Sequence, residues 1–545
     1  MKRREFIRRA APVSVLPLFM GGFTFRAYGR SPLLDALTAV TTETDHVLVF
    51  IQLNGGNDGL NTVIPLDQYS ALMAARGNIA IDESKVLKLS DATGLHPAMT
   101  GLHSLYNRME LCIVQGVGYP NPNFSHFRAT DIWLSASDSD QTLASGWMGR
   151  YLDQEYPDYP NGYPNAVAPD PLAIQIGSVV SQGLQGPAVS MGMAITSPGS
   201  FYQLVTGGVD TAPNTPAGHE LTFLREVAQQ TQEYAVSIQA AASAGRNLSG
   251  MYPAAGQNSL ADQLKIVAQL ISGGLKTRLY VVNLGGFDTH SAQVDTTAGT
   301  DAGTHAKLLG KLSEAISAFQ DDVEQLGVFS RVVGMTFSEF GRRIVSNASA
   351  GTDHGTAAPL FIFGTNVHRH IVGANPVLPV SPGVGDNLEM QNDFRSVYAS
   401  LLVQWLGVPK TEMEAVLQRD FPMLPLIIGA PSDTNGGRKP DPLHPPGGAT
   451  EALGSDASPT GVFLGQNFPN PFNPTTELTF SSDGGHVLIQ VFDVLGREVG
   501  RLADGVYPQG VHSVRFDAKD LPAGAYYYRM RSGEFQDIRK MVLAR

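Results

Sequence analysis

The folded region opens with a mainly apolar run, His46-Val47-Leu48-Val49-Phe50-Ile51-Gln52-Leu53, which is followed directly by Asn54-Gly55-Gly56-Asn57-Asp58-Gly59. An apolar run of this length predicts a strand that is covered on both faces, as in a parallel sheet. The glycines after it let the backbone turn sharply and bring a carboxylate to the end of the strand. We therefore expect an α/β body, with Asp58 as its first candidate site residue.

Runs of the same type recur along the body, which we place at residues 44–429, and they alternate with helical patterns. This alternation predicts a mostly parallel sheet flanked by helices. Residues 155–216 are rich in Pro, Gly, Ser and Asn, and this composition predicts an insertion or a set of long loops over the edge of the sheet. The further predicted strands are 111–116, 278–284, 331–337 and 359–363, and the predicted helices are 220–244, 259–272 and 305–326.

The composition bounds the class of protein. A chain of 545 residues is longer than one compact core usually grows, so more than one domain is expected. With 43% hydrophobic and 16% charged residues, the chain is not disordered as a whole. Its 58 Gly and 35 Pro are scattered without a period, which excludes collagen-like repeats and coiled coils. The net charge of −12 and the dispersed basic residues argue against a nucleic-acid partner.

The N-terminus carries an export signal, which we place at residues 1–30. The paired Arg3-Arg4 precedes Glu5-Phe6-Ile7 and a weakly apolar stretch from Ala10 to Phe25, a pattern typical of a twin-arginine signal. The apolar stretch is shorter than a membrane-spanning helix and contains prolines, so no permanent transmembrane anchor is expected. The only cysteine, Cys112, lies in an apolar run, where a buried and inert thiol is expected.

A linker and a tail follow the body. Residues 430–458 are mostly Pro, Gly, Ser, Asp and Ala, a composition that cannot pack into a core. In residues 459–545, short alternating apolar runs at 487–492, 513–516 and 525–531 are separated by turn residues. This pattern predicts a small antiparallel β-sandwich.

Polar clusters border the predicted strands of the body, and sites of parallel sheets gather beyond the carboxyl ends of strands. Carboxylate and imidazole ligands of this kind hold zinc, manganese or calcium. Each cluster also has a structural explanation as a turn, a cap or a hydrogen-bonded pair. The candidate metal ligands are Asp58 in the first loop, Asp288 and His290 in the second, Glu339 in the third, and Asp353 and His354 in the fourth.

A fifth cluster supplies a nucleophile. Ser125 stands beside His126 and Arg128 after the strand that starts at Leu111. A serine becomes nucleophilic when a base or a metal lowers the energy of its alkoxide, so these three are the candidate catalytic residues. Ser125 is equally well placed to cap the helix from His126 onward, and both roles are compatible.

The tail resembles the C-terminal sorting domain of bacterial type IX secretion. The resemblance spans residues 460–545, and it implies a second export step across the outer membrane. The expected partners are therefore the twin-arginine and type IX export machineries. The expected location is the periplasm in transit, then the outer-membrane surface or the medium. The segments that carry it are Leu464–Thr476, Val491–Val499, Leu521–Tyr526 and Arg539–Leu543.

The order of the clusters in the body resembles the alkaline phosphatase and sulfatase superfamily. The resemblance implies that Asp58 is the first ligand, Ser125 the nucleophile, and Asp288 with His290 a ligand pair. It further implies that Glu339 is the third carboxylate and His354 the late histidine. Glu339-Phe340 stands where the superfamily commonly has Asp-His, so Phe340 removes a ligand and puts one of two metals in doubt.

Residues 44–410 are closer still to a bacterial family of twin-arginine-exported proteins without a settled function, domain of unknown function 1501. The matching segments surround Asp58, Ser125, Asp288, Glu339 and His354. We expect an exported, metal-dependent hydrolase of small phosphate or sulfate esters, with Asn57 and Arg342 in substrate binding and Arg128 or Arg342 binding the anion. The alternative is a catalytically inactive exported or cell-surface binding protein on the same fold.

Overall fold

The structure, a computed structural model, describes residues 45–198, 233–430 and, with short gaps, 462–543, together with two short strands near the N-terminus. The chain forms two compact units, Met1–Gly437 and Arg438–Arg545. Their boundary falls inside the predicted linker 430–458, which lies outside the described residues except for its first residue. The predicted signal peptide 1–30 also lies outside them, apart from the backbones of β1 (Leu18–Met20) and β2 (Phe23–Phe25), which pair antiparallel.

The described residues of the first unit form a nine-stranded sheet, a three-stranded sheet of β4, β5 and β6, and the two-stranded sheets β12–β13 and β1–β2. The large sheet has the order β15-β7-β14-β11-β3-β10-β8-β9, and β16 also pairs with β7. The strands of this unit are β3 (Val47–Asn54), β4 (Val63–Pro65), β5 (Leu87–Lys88), β6 (Thr93–Leu95), β7 (Leu111–Gly118), β8 (Ala173–Ile176), β9 (Met193–Ile195), β10 (Leu279–Gly285), β11 (Val332–Phe337), β12 (Arg342–Ser346), β13 (Thr352–His354), β14 (Ala358–Phe363), β15 (Ile371–Val372) and β16 (Asn392–Asp393).

The large sheet is mostly parallel, which confirms the predicted α/β class. The central strand β3 pairs in parallel with β10 and β11, and β8 and β9 continue the sheet in the same sense. Only β14 runs antiparallel to its two neighbours, β7 and β11. The prediction of edge loops at 155–216 was wrong in part, because the described part of this region contributes the edge strand β9 and its neighbour β8.

Helices cover both faces of the sheet, as the apolar opening run predicts. Along β3, Leu48 and Phe50 belong to one apolar cluster, whereas Val49 and Ile51 belong to a second on the opposite face. The predicted helix 259–272 has the observed bounds; in the predicted helix 220–244, the described residues 233–244 are helical. The helices are Gly59–Thr62, Tyr69–Arg76, Thr100–Asn107, His126–Ser135, Trp147–Glu155, Ser259–Ser272, Thr304–Gln325, Phe394–Ser400 and Lys410–Leu417, with a π-helix at Leu401–Trp405.

The second unit has the predicted antiparallel strands. A two-stranded and a four-stranded sheet enclose one apolar core that draws residues from both, among them Phe480 and Tyr528. Tyr526 and Tyr528 are buried and Tyr527 is 37% exposed, because successive residues of a strand point to opposite faces. The strands are β17 (Thr475–Ser482), β18 (His486–Asp493), β19 (Glu498–Val506), β20 (Gly510–Asp517), β21 (Gly524–Ser532) and β22 (Phe535–Leu543).

Two further observations concern export and redox state. Among the helices in the described ranges, none has the length and apolar character that crossing a membrane requires. Cys112 is buried in β7, and burial raises the pKa of its thiol to about 12. The thiol is therefore inert, as the sequence predicts.

Candidate functional site

Five connections meet at one edge of the large sheet. The register aligns Asn54 at the end of β3 with Gly285 at the end of β10, and β11 ends two residues short of them at Phe337. Strand β14 runs the other way, so its first residue, Ala358, pairs with Val117 near the end of β7. The loops after β3, β7, β10 and β11 and the β12–β13 hairpin before β14 therefore share this edge.

Two histidines and one aspartate from three of these connections form a group that could hold a metal ion. The ligand atoms of His126, Asp288 and His354 all lie within 4.8 Å of one another. The distance from His126 Nε2 to Asp288 Oδ2 is 3.5 Å, and that from His354 Nε2 to Asp288 Oδ1 is 3.3 Å. The carboxylate is 46% exposed, so the group opens to solvent.

His290 adds a third imidazole to this group. Its Nε2 lies 2.8 Å from His354 Nε2 and 3.2 Å from Asp288 Oδ1. We call His126, Asp288, His290 and His354 the histidine cluster. Sequence analysis expected three of its members as ligands, and it expected His126 as a catalytic partner of Ser125.

A hydrogen-bond acceptor faces the Nδ1 atom of each histidine in the cluster. Glu339 Oε1 lies 2.9 Å from Nδ1 of His126, and Asp353 Oδ1 lies 3.2 Å from Nδ1 of His290. The carbonyl oxygen of Phe124 lies 2.8 Å from Nδ1 of His354. Because a carboxylate or carbonyl oxygen can only accept, each Nδ1 donates, and the Nε2 of a neutral ring keeps its lone pair. The three Nε2 atoms face the Asp288 carboxylate.

This donor set fits a transition metal ion. Imidazole nitrogens with their other N–H held by a carboxylate or a carbonyl are the usual ligands of zinc, and they suit manganese less well. Calcium takes oxygen ligands, so it fits this set poorly. Two lone pairs that face each other at 2.8 Å, as at His290 and His354, also call for a cation or a shared proton between them.

Arg342 holds the carboxylate of Asp288 in place. Its guanidinium is buried and donates to Asp288 Oδ1 at 2.7 Å, to the carbonyls of Gly56 at 2.7 Å and Thr352 at 2.8 Å, and to Phe287 O at 3.1 Å. Burial raises the pKa of Asp288, but the hydrogen bond and charge of Arg342 outweigh it and lower that pKa. Asp288 is therefore ionised at neutral pH.

The imidazoles of His126 and His354 have opposite pKa shifts. The hydrogen bond that His126 donates to Glu339 raises the pKa of His126, because it stabilises the protonated ring. Burial lowers the pKa of His354, against the hydrogen bond to the Phe124 carbonyl. Phe340 separates the two rings from the interior, with its centroid 4.9 Å from that of His126 and 4.4 Å from that of His354.

Glu339 lies behind the cluster. It is 2% exposed, and the oxygen that accepts from His126 also accepts from the backbone N–H of Gly55 at 2.7 Å. The predicted ligand Asp353 likewise contacts the cluster through His290, and Asn347 Nδ2 also lies 3.2 Å from its carboxylate. The structure thus places both carboxylates against Nδ1 atoms.

Asp58 lies in a separate, buried network. Both of its carboxylate oxygens are 2.7 Å from Arg76 Nη1, and Gln293 donates to Oδ2 at 2.5 Å. Burial raises the pKa of Asp58, but the charges of Arg76 and His305 and these hydrogen bonds lower it. Asn57, expected in substrate binding, is also buried, and its side-chain oxygen is 2.9 Å from His305 Nε2.

The two arginines expected to bind an anion are engaged elsewhere. The guanidinium of Arg342 already donates to Asp288 and to backbone carbonyls. Arg128 forms an ion pair with Asp131 and donates to the backbone carbonyls of Asp138 and Ser139 at 3.0 and 3.3 Å. It thus holds the loop that follows the helix His126–Ser135.

Ser125 lies beside the cluster. It is exposed and forms the N-cap of the helix His126–Ser135, yet its side chain makes no capping hydrogen bond. The residue before it supplies the carbonyl that holds His354, and the residue after it is His126. The expected nucleophile is therefore bracketed by two members of the site's hydrogen-bond network.

Several residues of the site have no signal in the sequence. The Phe124 carbonyl is a backbone group. Arg76 ends the helix Tyr69–Arg76, 18 residues after Asp58, and Gln293 lies in a loop 235 residues after Asp58. Arg343 was also missed. It is half-buried, donates to the carbonyl of Gly385, and lies over the Phe124 ring at 5.7 Å from the centroid.

The family model described as protein of unknown function (DUF1501) matches residues 45–424. The chain belongs to this family. The tail of this DUF1501 protein matches the secretion system C-terminal sorting domain over residues 466–544, which implies export to the cell surface or the medium through type IX secretion. No curated protein matches the chain.

Solved structures share only general features with this DUF1501 protein. A protein in the alkaline phosphatase superfamily from Vibrio parahaemolyticus is 11% identical, with 70% of each chain covered and a TM-score of 0.32. A phosphonate monoester hydrolase from Silicibacter pomeroyi is 9% identical over 91% of this chain and 88% of its own, with a TM-score of 0.29.

A third similar structure is PorZ, a surface component of the type IX secretion system of Porphyromonas gingivalis. It is 16% identical over 16% of this chain, with a TM-score of 0.12, and the match spans only 12% of PorZ. These TM-scores are too low for any relative's reaction to carry over.

Proposed function

We propose that the protein is an exported, metal-dependent hydrolase of phosphate or sulfate esters. The observation that supports the proposal best is the arrangement of three Nε2 atoms around the Asp288 carboxylate, with each Nδ1 held by an acceptor. This arrangement crowds lone pairs and a negative charge together, so it calls for a positive charge between the rings, and in this proposal a metal ion supplies it. Histidine ligands of metal ions usually donate their other ring N–H to a carboxylate or a carbonyl in this way, and that hydrogen bond orients the ring.

The histidine cluster would hold the ion, and Glu339, Asp353 and the Phe124 carbonyl would hold the rings. A divalent cation at such a site polarises an ester oxygen and makes a nearby hydroxyl more acidic. Asp58 takes no part in this proposal as a ligand, because Arg76 and Gln293 already satisfy its oxygens. We infer one ion for the cluster.

Ser125 is the proposed nucleophile. Its hydroxyl oxygen would bond to the phosphorus or sulfur atom while the alcohol leaves with a proton, and water would then release the anion. The first backbone N–H groups of the helix His126–Ser135 face the same region, and a helix N-terminus stabilises an anion there. The Ser125 side chain makes no capping hydrogen bond, so none has to break before its hydroxyl attacks.

Delivery is part of the proposal. Arg3-Arg4 would direct a folded, metal-loaded protein through twin-arginine export into the periplasm, and the sorting tail would then take it across the outer membrane. Folding before export suits a chain that must acquire an ion, since a site assembled from three connections far apart in the chain does not exist in the unfolded state.

The test is elemental analysis of the natively exported protein, followed by a panel of aryl and alkyl phosphates and sulfates. We expect one zinc or manganese ion per chain, its loss in His354→Ala, and its retention in Ser125→Ala with hydrolysis reduced at least a hundredfold. His368→Ala, a change of the same type away from the cluster, is the matched control. Unchanged hydrolysis in Ser125→Ala contradicts the assigned chemistry.

An inactive binding protein is the second candidate, and the engagement of Arg128 and Arg342 in the fold favours it. In that case the ion would be present and the anions would bind, but no ester in the panel would be hydrolysed. The same experiment therefore separates the two candidates.

A further inference from the structure

A cavity lies at the edge of the large sheet opposite the histidine cluster. Its volume is about 540 Å³, and its lining includes Tyr106, His368, Arg369 and His370, so we call it the basic cavity. The carbonyl of His370 accepts from the backbone N–H of Ile113 near the start of β7, whereas the histidine cluster lies beyond the end of that strand. With a rise of about 3.3 Å per residue, the eight residues of β7 separate the two sites by on the order of 20 Å.

The basic cavity concentrates positive charge without a carboxylate partner. None of the eight residues that line it is acidic. Among the residues that the structure describes, no carboxylate forms an ion pair with His368, Arg369 or His370. Burial, and then the charge of His368, lower the pKa of His370, against a hydrogen bond to the backbone of His368. An anion in the cavity would supply the counter-charge that these side chains lack.

Four of the lining side chains are planar. The guanidinium of Arg369 lies over the Tyr106 ring, with its Cζ 5.0 Å from the ring centroid. The rings of His368 and His370 have centroids 5.5 Å apart and are inclined at 77°. Aromatic rings and guanidinium planes stack on planar ligands, and a guanidinium also donates paired hydrogen bonds to an oxyanion. The lining therefore favours a planar ligand with a negative charge.

The rest of the lining is apolar. Met109 is 61% exposed and Ile428 is 56% exposed, and both line this one cavity with Val367 and Ile371. The cavity volume lies within the range of roughly 300–1,000 Å³ that is usual for small-molecule sites. An inorganic anion would leave these apolar side chains in water, so the ligand that fits has an apolar body as well as a charge.

The segment that carries the basic side chains is held on both sides. On one side it pairs with the start of β7. On the other, the N–H of His368 donates to the carbonyl of Leu426, and the N–H of Ile428 donates to the carbonyl of Asn366, both at 2.9 Å. Little backbone ordering is therefore needed when a ligand enters, and preorganisation of this kind raises affinity.

We propose that the basic cavity binds a planar aromatic compound that carries an oxyanion group, a carboxylate, a sulfonate or a phosphate. The oxyanion lies against Arg369 and the two imidazoles. The aromatic body lies between the Tyr106 wall and the apolar side chains of Met109 and Ile428. This site is separate from the histidine cluster, and the inference does not depend on the proposed hydrolysis.

The test uses naphthalene-2-sulfonate, which has no ester bond and so is not a substrate for the proposed hydrolase. It is titrated calorimetrically into the exported full-length protein, next to methanesulfonate, which keeps the anion, and naphthalene-2-methanol, which keeps the rings. We expect naphthalene-2-sulfonate to bind about tenfold or more tightly than either, because only it uses both halves of the lining. Equal binding of either comparison compound overturns the proposal.

Arg369→Gln should weaken the binding of naphthalene-2-sulfonate about tenfold, because it removes the charge and the fork of donors. Arg419→Gln is the matched control. Arg419 is also exposed and lies over an aromatic ring, that of Phe421 at 5.1 Å, but its guanidinium is 3.2 Å from the carboxylate of Asp138. An unchanged affinity in Arg369→Gln, or an equal loss in both variants, contradicts the proposal.

Two further variants show which site the anion occupies. His368→Ala should weaken the binding of naphthalene-2-sulfonate and keep the ion at the histidine cluster. Binding that is lost in His354→Ala and kept in Arg369→Gln would place the anion at the histidine cluster and overturn the proposal. Ester hydrolysis without Arg369-dependent binding of the sulfonate also overturns it and leaves the proposed function intact.

Discussion

Asp58 and Arg76 form an ion pair that is buried completely: the side chains are 1% and 0% exposed, and Arg76 Nη1 lies 2.7 Å from both carboxylate oxygens. Gln293 donates a further hydrogen bond to the Asp58 carboxylate, and Arg76 also donates from Nε to the carbonyl of Ile344 at 2.8 Å. The pair therefore joins the loop after β3 to strand β12. It stabilises the edge of the sheet on which the histidine cluster is assembled.

The first prediction concerns this pair. Arg76→Met leaves the Asp58 carboxylate buried and unpaired, so we expect the free energy of unfolding to fall by about 3–5 kcal/mol. The double variant Asp58→Asn with Arg76→Met removes the charge as well and should lose less than Arg76→Met alone. The measurement is urea unfolding followed by tryptophan fluorescence, since all three tryptophans, Trp133, Trp147 and Trp405, lie in the first unit.

A surface pair is the control for this experiment. Lys85 and Asp301 are 2.7 Å apart with side chains 49% and 28% exposed. Asp301→Asn should change the stability by less than about 1 kcal/mol. An equal loss in both pairs contradicts a special role for burial.

The second prediction concerns Glu339. Glu339→Gln keeps the size of the side chain but removes the charge that orients His126, so we expect the affinity for zinc to fall by about 10–100-fold. Competition with a chelator measures it. Glu324→Gln, on the exposed end of the helix Thr304–Gln325, is the control and should leave the affinity unchanged. Full affinity in Glu339→Gln would contradict the orienting role of Glu339.

The third prediction concerns Gly55, which has φ +122° and lies against the loop after β10. A Cβ there would lie 2.2 Å from the backbone nitrogen of Asp288 and 2.7 Å from the carbonyl carbon of Phe287. Gly55→Ala should therefore displace Asp288 and abolish stoichiometric metal binding, as elemental analysis would detect. Gly256 also has a positive φ, of +82°, with nothing within 4 Å, so Gly256→Ala tests backbone strain alone and should retain the ion.

The fourth prediction concerns pH. His305 is buried against Asn57, and burial lowers its pKa from 6.5 to about 4, against the charge of Asp58 and with those of Arg342 and Arg76. The unfolded chain binds the proton more readily, so the free energy of unfolding is highest above pH 6.5 and falls as the pH drops toward 4. The expected loss is about 3 kcal/mol.

His305→Gln should flatten this part of the stability profile. A weaker dependence remains, since burial also lowers the pKa of His96 to about 3. The comparison is urea unfolding at a series of pH values, with His103→Gln at the surface as the control. An unchanged slope in His305→Gln contradicts the assignment.

Much of the fold was predictable from local pattern. The apolar runs at β3, β7, β10, β11 and β14 are continuous because both faces of these strands are covered, and that property is written in each segment by itself. The antiparallel direction of β14 was not predictable, since an apolar run has no sign that fixes the direction of its partner. The edge strand β9 and its neighbour β8 were missed because their flanks are rich in turn residues.

The site was predictable as a set of strand ends but not as a set of contacts. Asp288, His290 and His354 were expected as ligands and lie together, whereas Asp58 follows a strand in the same way and lies in a buried ion pair. The difference is made by Arg76 and Gln293, which no spacing connects to Asp58. Similarly, His126 was expected as a partner of Ser125, and only the position of Glu339 turns its Nε2 toward Asp288.

The sequence by itself determined the α/β body, the antiparallel tail and the strand-end loops, because hydrophobic period and turn residues act over a few neighbouring positions. The sorting tail was also recognisable from its own residues. Only the tertiary structure decided which polar side chains neutralise each other and which stay open to a ligand. That choice depends on distances between loops far apart in the chain. A charged side chain is neutralised when the fold brings a partner within about 3 Å of it, and it stays open to a ligand when the fold does not.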